Sequence, residues 1–240
     1  MKVSLLQHTP EPDRTVAMAA HLCYSPSSIE DLRVRMEDSE VARLVGLIRS
    51  MGHLSPFEHA HFTVGIEGLS RVTSHQLVRS RIASYSQQSQ RYIDQRGFEY
   101  VTPPTVRKDA GLLERFRQHM DDSRDLYREL RDAGIPREDA RFVLPSAASS
   151  NIVMSKNARA WLEWFELRTC TRSQWEIRIL ANRIMRLLRG VAPHLFEVSG
   201  PPCITQSLCR EGKMSCGRID VMTVDRLPYK TPGIKEVEDK

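Results

Sequence analysis

The sequence is poor in lysine, holds an odd number of cysteines and has no long apolar run. Each shortage narrows what the chain can be. Of its 35 basic residues, 7 are lysine and 28 arginine. Arginine offers a planar fork of donors that matches phosphate and carboxylate oxygens. A solvated basic surface or a coding bias would account for the total, but not for the local cluster described below. The five cysteines, Cys23, Cys170, Cys203, Cys209 and Cys216, are an odd set that argues against a disulfide framework. The last three are separated by five and six intervening residues, not in the C-x2-C spacing of common zinc sites, so they read as reduced structural thiols and no metal is expected. Cys170 has no nearby histidine to activate it as a nucleophile. No apolar run approaches the roughly 20 residues that span a bilayer. The opening "MKVSLLQHTPEPD" turns polar and acidic too early for a signal peptide. The expectation is a cytoplasmic protein with no membrane partner. There is no G-x-G-x-x-G and no P-loop lysine motif, no repeat and no low-complexity segment.

What remains is an ordinary globular composition. The chain has 240 residues, 40% hydrophobic and 27% charged, with a net charge of +5. That length can bury a core within a single domain, 1–240. "SEVARLVGLIRSMGH" sets Val41, Leu44, Val45, Ile48 and Met51 on one helical face, with Ser39 as the cap and Gly52 as the stop. Phe62, Val64 and Ile66 alternate as in a half-buried strand. Ser70 caps a second helix through 69–82, on which Gln76 and Arg79 share a face. A long helix runs from Leu112 to Leu130 and closes at "AGIP"; a short one follows in "REDARFVLP". "NARAWLEWFELR" is helical, with Trp161, Trp164, Phe165 and Leu167 on the core side. "SQWE" at 173–176 reads as a capping box. The tail after Gly200 reads as irregular. The sum is an α+β domain with a central mixed or antiparallel sheet flanked by helices.

The chemistry concentrates in "RSRIASYSQQSQRY", residues 79–92. Arg79, Arg81 and Arg91 bracket five hydroxyls and three glutamines, with no run of acids close by. The segment reads as a polar loop whose amides, hydroxyls and guanidinium forks suit a phosphorylated, planar ligand. An ordinary polar loop is the plain alternative. "GHLSPFEH" gathers His53, Ser55, Glu58 and His59 at a spacing unsuited to a metal, either as acids and ring contacts or as a solvated turn. Arg168 sits at a helix end, where a cation is favourable for dipole reasons alone.

Arg79-x-Arg81, seven residues, then Ser89 resembles the R-H-R-x7-S signature of the flavin-dependent thymidylate synthases. "CYSP" at 23–26, "GHLSPFEH" at 52–59, "SHQLVR" at 74–79, "RFVLP" at 141–145, "NAR" at 157–159, "ELR" at 166–168 and "QWEIR" at 174–178 follow the family's order and spacing over nearly the whole chain. The resemblance implies conversion of dUMP to dTMP, with methylenetetrahydrofolate as the carbon donor and NADPH reducing bound FAD. It implies that Gln76, Arg79, Ser89, Arg91 and Arg141 hold dUMP, the arginines mainly on its phosphate, with Gln87 and Gln88 lining the same loop. Arg168 would contact the uracil ring. His53, Ser55, Glu58, Arg79, Ser80, Arg81, Gln87, Asn157, Arg159 and Glu163 would lie on the flavin side. A homotetramer with sites built from several subunits is implied as well. Ser80 stands where the signature has histidine, and Glu163 where asparagine or histidine is expected. A serine there brings one hydroxyl and leaves a gap, so weaker FAD binding is expected. A family member that binds nucleotide without catalysis is one alternative. An arginine-rich nucleic-acid-binding module is another, but no RRM, KH or helix-turn-helix pattern appears and the basic residues are not gathered in a tail; no nucleic acid is expected.

Overall fold

A computed structural model of the chain describes residues 1–219. It opens with β1 (Lys2–His8), a strand the sequence reading did not find. Then come α1 (Pro12–Leu22), α2 (Ile29–Arg35), α3 (Asp38–Ser50), β2 (His61–Ser70), α4 (Arg71–Leu77) and β3 (Ser84–Gln87). After a loop follow α5 (Ala110–Asp132), α6 (Arg137–Ala140), β4 (Ser149–Asn157), α7 (Ala158–Arg168), α8 (Trp175–Val191), α9 (Pro193–Phe196) and α10 (Pro202–Thr205). The strands form one sheet in the order β1-β2-β4-β3, antiparallel throughout. The fold is α+β, as expected. Among the described residues no helix is long and apolar enough to cross a membrane.

The period-2 alternation decides which face is covered. Phe62, Val64 and Ile66 of β2 and Ile152 and Met154 of β4 point into one core with Val16, Val45, Trp161, Phe165, Ile177 and Ile184 from the helices. The opposite face carries small and polar residues, among them Thr63, Gly65 and Ser155, with Leu6 and Val153 exposed. α8 buries Ile177, Leu180, Ala181, Ile184 and Leu188 along one stripe.

Several boundaries depart from the sequence reading, each for a local reason. α3 begins one residue before Ser39, with Glu37 at its cap position. Gly52 supplies the left-handed stop, φ 73°, which a residue with a Cβ adopts reluctantly. The expected capping box at 173–176 does not form. The Gln174 side chain caps α8 by accepting from the Glu176 and Ile177 amides, and Glu176 turns inward. Leu167, expected in the core, is 58% exposed.

Candidate active site

The helix that leads into the signature segment is held at its start by a buried carboxylate. Ser70 caps α4, its hydroxyl accepting from the Thr73 amide at 3.1 Å. Glu176 of α8, 2% exposed, accepts from the Ser70 amide at 3.0 Å, the Ser70 hydroxyl at 2.5 Å and the Thr73 hydroxyl at 2.6 Å. α4 therefore starts at a fixed point, but it ends at Leu77. Arg79 lies beyond it, so Gln76 and Arg79 do not share a helical face. They meet through Arg168 at the end of α7. Arg168 Nη2 donates to the Gln76 carbonyl at 3.4 Å, and its pKa is lowered by burial first and by the charge of Arg79 second. The segment is not all loop either. Ser84–Gln87 pairs with Ile152–Ser155 as β3.

Arg79, Ser80, Arg81 and Ile82 form one wall of a cavity of about 230 Å³. Lys156 from β4 and Ala160, Glu163, Trp164, Leu167 and Arg168 from α7 form the rest. Four cations face one carboxylate there. Arg168 Nε is buried without a partner. That donor set fits a planar, electron-rich ring with anionic edges.

Lys156 was missed in the sequence. It is 3% exposed, and its ammonium donates to the Ser80 hydroxyl at 2.6 Å and to the Ile82 carbonyl at 3.2 Å. Its Nζ also lies 6.0 Å from the centre of the Trp161 ring. Burial pushes its pKa down to about 8, with Glu163 acting weakly in the other direction. The signal was there: Ile152, Met154 and Lys156 share one face of a period-2 run. It went unread because β4 was not recognised as a strand. At Ser80, where a gap was expected, the Lys156 ammonium reaches the serine hydroxyl from behind, and both residues line the cavity. The Tyr85 hydroxyl is shared between the Leu77 and Ser80 carbonyls, at 2.8 and 2.9 Å.

A second cluster gathers Ser89, Arg91 and Arg141. Arg91 is not short of an acid. It forms an ion pair with Glu138 of α6 at 2.9 Å, across 47 residues of sequence. Arg141 Nε donates to the Glu138 carbonyl at 3.1 Å, and its charge adds to burial in lowering the pKa of Arg71. The Ser89 hydroxyl accepts from the Arg91 amide at 3.2 Å. Gln87 and Gln88 point to opposite sides, as strand geometry requires. Gln87 Nε2 is buried without a partner. Gln88 lines a larger cavity of about 730 Å³ together with Glu67, Asp94, Glu99 and Lys2. Three carboxylates and one cation suit a phosphate poorly, so the smaller cationic cavity is the better site despite its size.

The remaining residues expected on the flavin side gather around the start of α7 and the short turn before β2. Arg159 bridges Glu58 at 2.7 Å and Glu163 at 3.1 Å. The Asn157 side chain is the helix cap, accepting from the Ala160 amide at 2.8 Å. His53 Nδ1 is 3.4 Å from the Tyr24 hydroxyl, and Ser55 opens the short 3-10 turn that carries Glu58. Glu163 joins this group to the cavity. Elsewhere, Cys170, Cys203, Cys209 and Cys216 line one small cavity. Among the described residues no group of three or more His, Cys, Asp or Glu is placed to hold a metal.

Comparison with known proteins gives this geometry a family. The family model described as "Thymidylate synthase complementing protein" matches residues 4–194. The flavin-dependent thymidylate synthase of Geobacter sulfurreducens is 51% identical over 220 residues, covering 91% of this chain and 94% of the relative. That of Clostridium tetani is 43% identical over 234 residues, with the same coverage of each chain. The Sulfolobus acidocaldarius protein of that name is 37% identical, over 92% of this chain and 85% of its own. Match and relatives both span the signature segment and α7, and on them the chain belongs to the flavin-dependent thymidylate synthases.

Proposed function

We propose that the chain, acting as one domain over 1–240 in a cytoplasmic homotetramer, methylates dUMP to dTMP with methylenetetrahydrofolate as the carbon donor, NADPH as the reductant and FAD as the cofactor. One observation carries the reading: four cations, Arg79, Arg81, Lys156 and Arg168, around one cavity with one carboxylate. Flavin, when bound, relays hydride from the nicotinamide. The chain's own residues bind and polarise. Arg91, Arg141 and Ser89 take the nucleotide phosphate, with Glu138 as the anion that phosphate displaces. Gln76, Arg79 and Arg168 take the uracil edge, where the Arg168 guanidinium stabilises negative charge developing on N3 and O4. Gln87 and Gln88 flank them. His53, Ser55, Glu58, Ser80, Arg81, Asn157, Arg159 and Glu163 line the flavin side. Two features support assembly from several copies. The phosphate and ring clusters use different parts of the chain, and about 230 Å³ is below the roughly 300–1,000 Å³ typical of ligand sites.

The test is reconstitution. Purified protein with FAD, NADPH, methylenetetrahydrofolate and dUMP should form dTMP, and omission of any one should abolish it. Flavin reduction by NADPH without dTMP from the complete mixture would overturn the proposed reaction. A monomer that turns over at full rate would overturn the assembly.

A further inference from the structure

Ser80 stands where the family signature carries histidine, and Lys156 reaches it from β4, so that their geometry makes one unit of them. The ammonium donates to the Ser80 hydroxyl oxygen at 2.6 Å. That oxygen is then an acceptor, so its own proton is turned away from Lys156 and is free to be donated to a ligand in the cavity both residues line. The same ammonium holds the Ile82 carbonyl, and Tyr85 holds the Ser80 carbonyl. The 79–82 segment is thus pinned from behind at both its backbone and its side chain. Among the described ion pairs none includes Lys156, so no carboxylate at ion-pair distance offsets its positive charge beside the cavity.

We propose that Lys156 is a positioning residue of the flavin site, which polarises the Ser80 hydroxyl so that the pair presents a strengthened donor at the place where the signature has histidine. The inference rests on the reading that flavin lies against residues 79–82. A buried ammonium beside a ring nitrogen or carbonyl favours the electron-rich form of that ring, and a neutral amine does not. The titratable and charged groups facing Lys156 are Arg79 and Arg81 from the loop, Tyr85 from β3, and Glu163 and Arg168 from α7; β2 offers Phe62. A pH step present in the wild type and absent from Lys156→Met therefore reports Lys156.

The experiment is FAD titration, followed by flavin fluorescence from pH 6.5 to 9.5, on the wild-type chain and on Lys156→Met, Ser80→Ala, the double variant and Arg81→Ala. Hydrogen bonds to charged groups set the scale at about tenfold or more. Lys156→Met and Ser80→Ala should each weaken FAD about tenfold at pH 7, with the double variant no weaker than either alone. The wild type should weaken with a midpoint near pH 8, and Lys156→Met should show no such step. Ser80→Ala is a small change that keeps the lysine, so it tests the pair even if Lys156→Met folds poorly. A loss at Arg81 with none at Lys156 or Ser80 overturns the proposal alone. No loss at any of the three overturns the position of the flavin and the proposal with it.

Discussion

Removing the Lys156 ammonium should change the stability of the unliganded protein in a pH-dependent way, and its size can be worked out. The pKa falls from 10.5 to about 8 because the charged form is buried. A group that holds its proton less tightly when folded opposes folding wherever the unfolded chain would be charged. The penalty is fully present below pH 8 and fades as pH rises through 8 toward 10.5. A shift of about 2.5 units at 1.36 kcal/mol each is about 3 kcal/mol. Lys156→Met removes that penalty and also two hydrogen bonds, at about 0.5–1.5 kcal/mol each, but the second loss varies little with pH. Urea unfolding of both proteins without ligands, at half-unit steps from pH 7 to 10.5, isolates the first. The stability of the wild type relative to the variant should climb by about 3 kcal/mol across that range. All other ionisable groups are common to both proteins and cancel in the difference. A difference that stays level from pH 7 to 10.5 would mean that Lys156 is not carrying a buried charge.

Arg91→Ala should weaken dUMP at least tenfold, by the scale of charged hydrogen bonds, and leave deoxyuridine nearly unchanged; equal losses by calorimetry would take Arg91 off the phosphate. Arg168→Lys keeps the charge but loses the fork, so dTMP formation should fall about 10²–10³-fold while NADPH still reduces the flavin. Unchanged dTMP formation would reduce Arg168 to a helix-end cation. Glu176→Ala takes the acceptor from the buried Ser70 amide and the closest acceptor from the Ser70 and Thr73 hydroxyls, leaving the hydroxyls only longer bonds to Thr73 Oγ1 and Gln174 Oε1, and should cost about 3 kcal/mol in denaturant unfolding, whereas a loss under 1 kcal/mol would show that water replaces the carboxylate.

The elements with a strong local signal were legible. α5, α7 and α8 carry long apolar stripes, β2 alternates cleanly, and Ser70 is a good cap; all are found where the pattern put them, to within a turn. β1, β3 and β4 were not. Each is short or mixes serine with apolar residues, and its stability comes from neighbours far along the chain, which no local window contains. That blindness reached the site. Missing β4 hid the inward position of Lys156, and missing β3 turned Gln87 and Gln88 into loop neighbours when they face opposite ways. Glu176 was assigned to its own helix because a capping box is a local motif, yet its partners are 106 and 103 residues away. Motif order carried the family reading because spacing survives even when the partners of each residue are unknown.

The sheet order has a consequence for the chain as it is made. β3 has one neighbour, β4, and the two are separated in sequence by α5, α6 and the loops around them. β1 and β2 can pair as soon as both have left the ribosome. The signature segment must wait with its amides open to water until about 60 further residues have followed it, since Gln88 bonds to Asn151. Lys156 and Arg168 come later still, and Glu176 last. A slow stretch of translation after α5 would therefore prolong a state in which half the sheet is formed and the ligand site does not yet exist. Loop closure over such distances is what slows folding in mixed topologies, and here it falls on the part of the protein that does the chemistry.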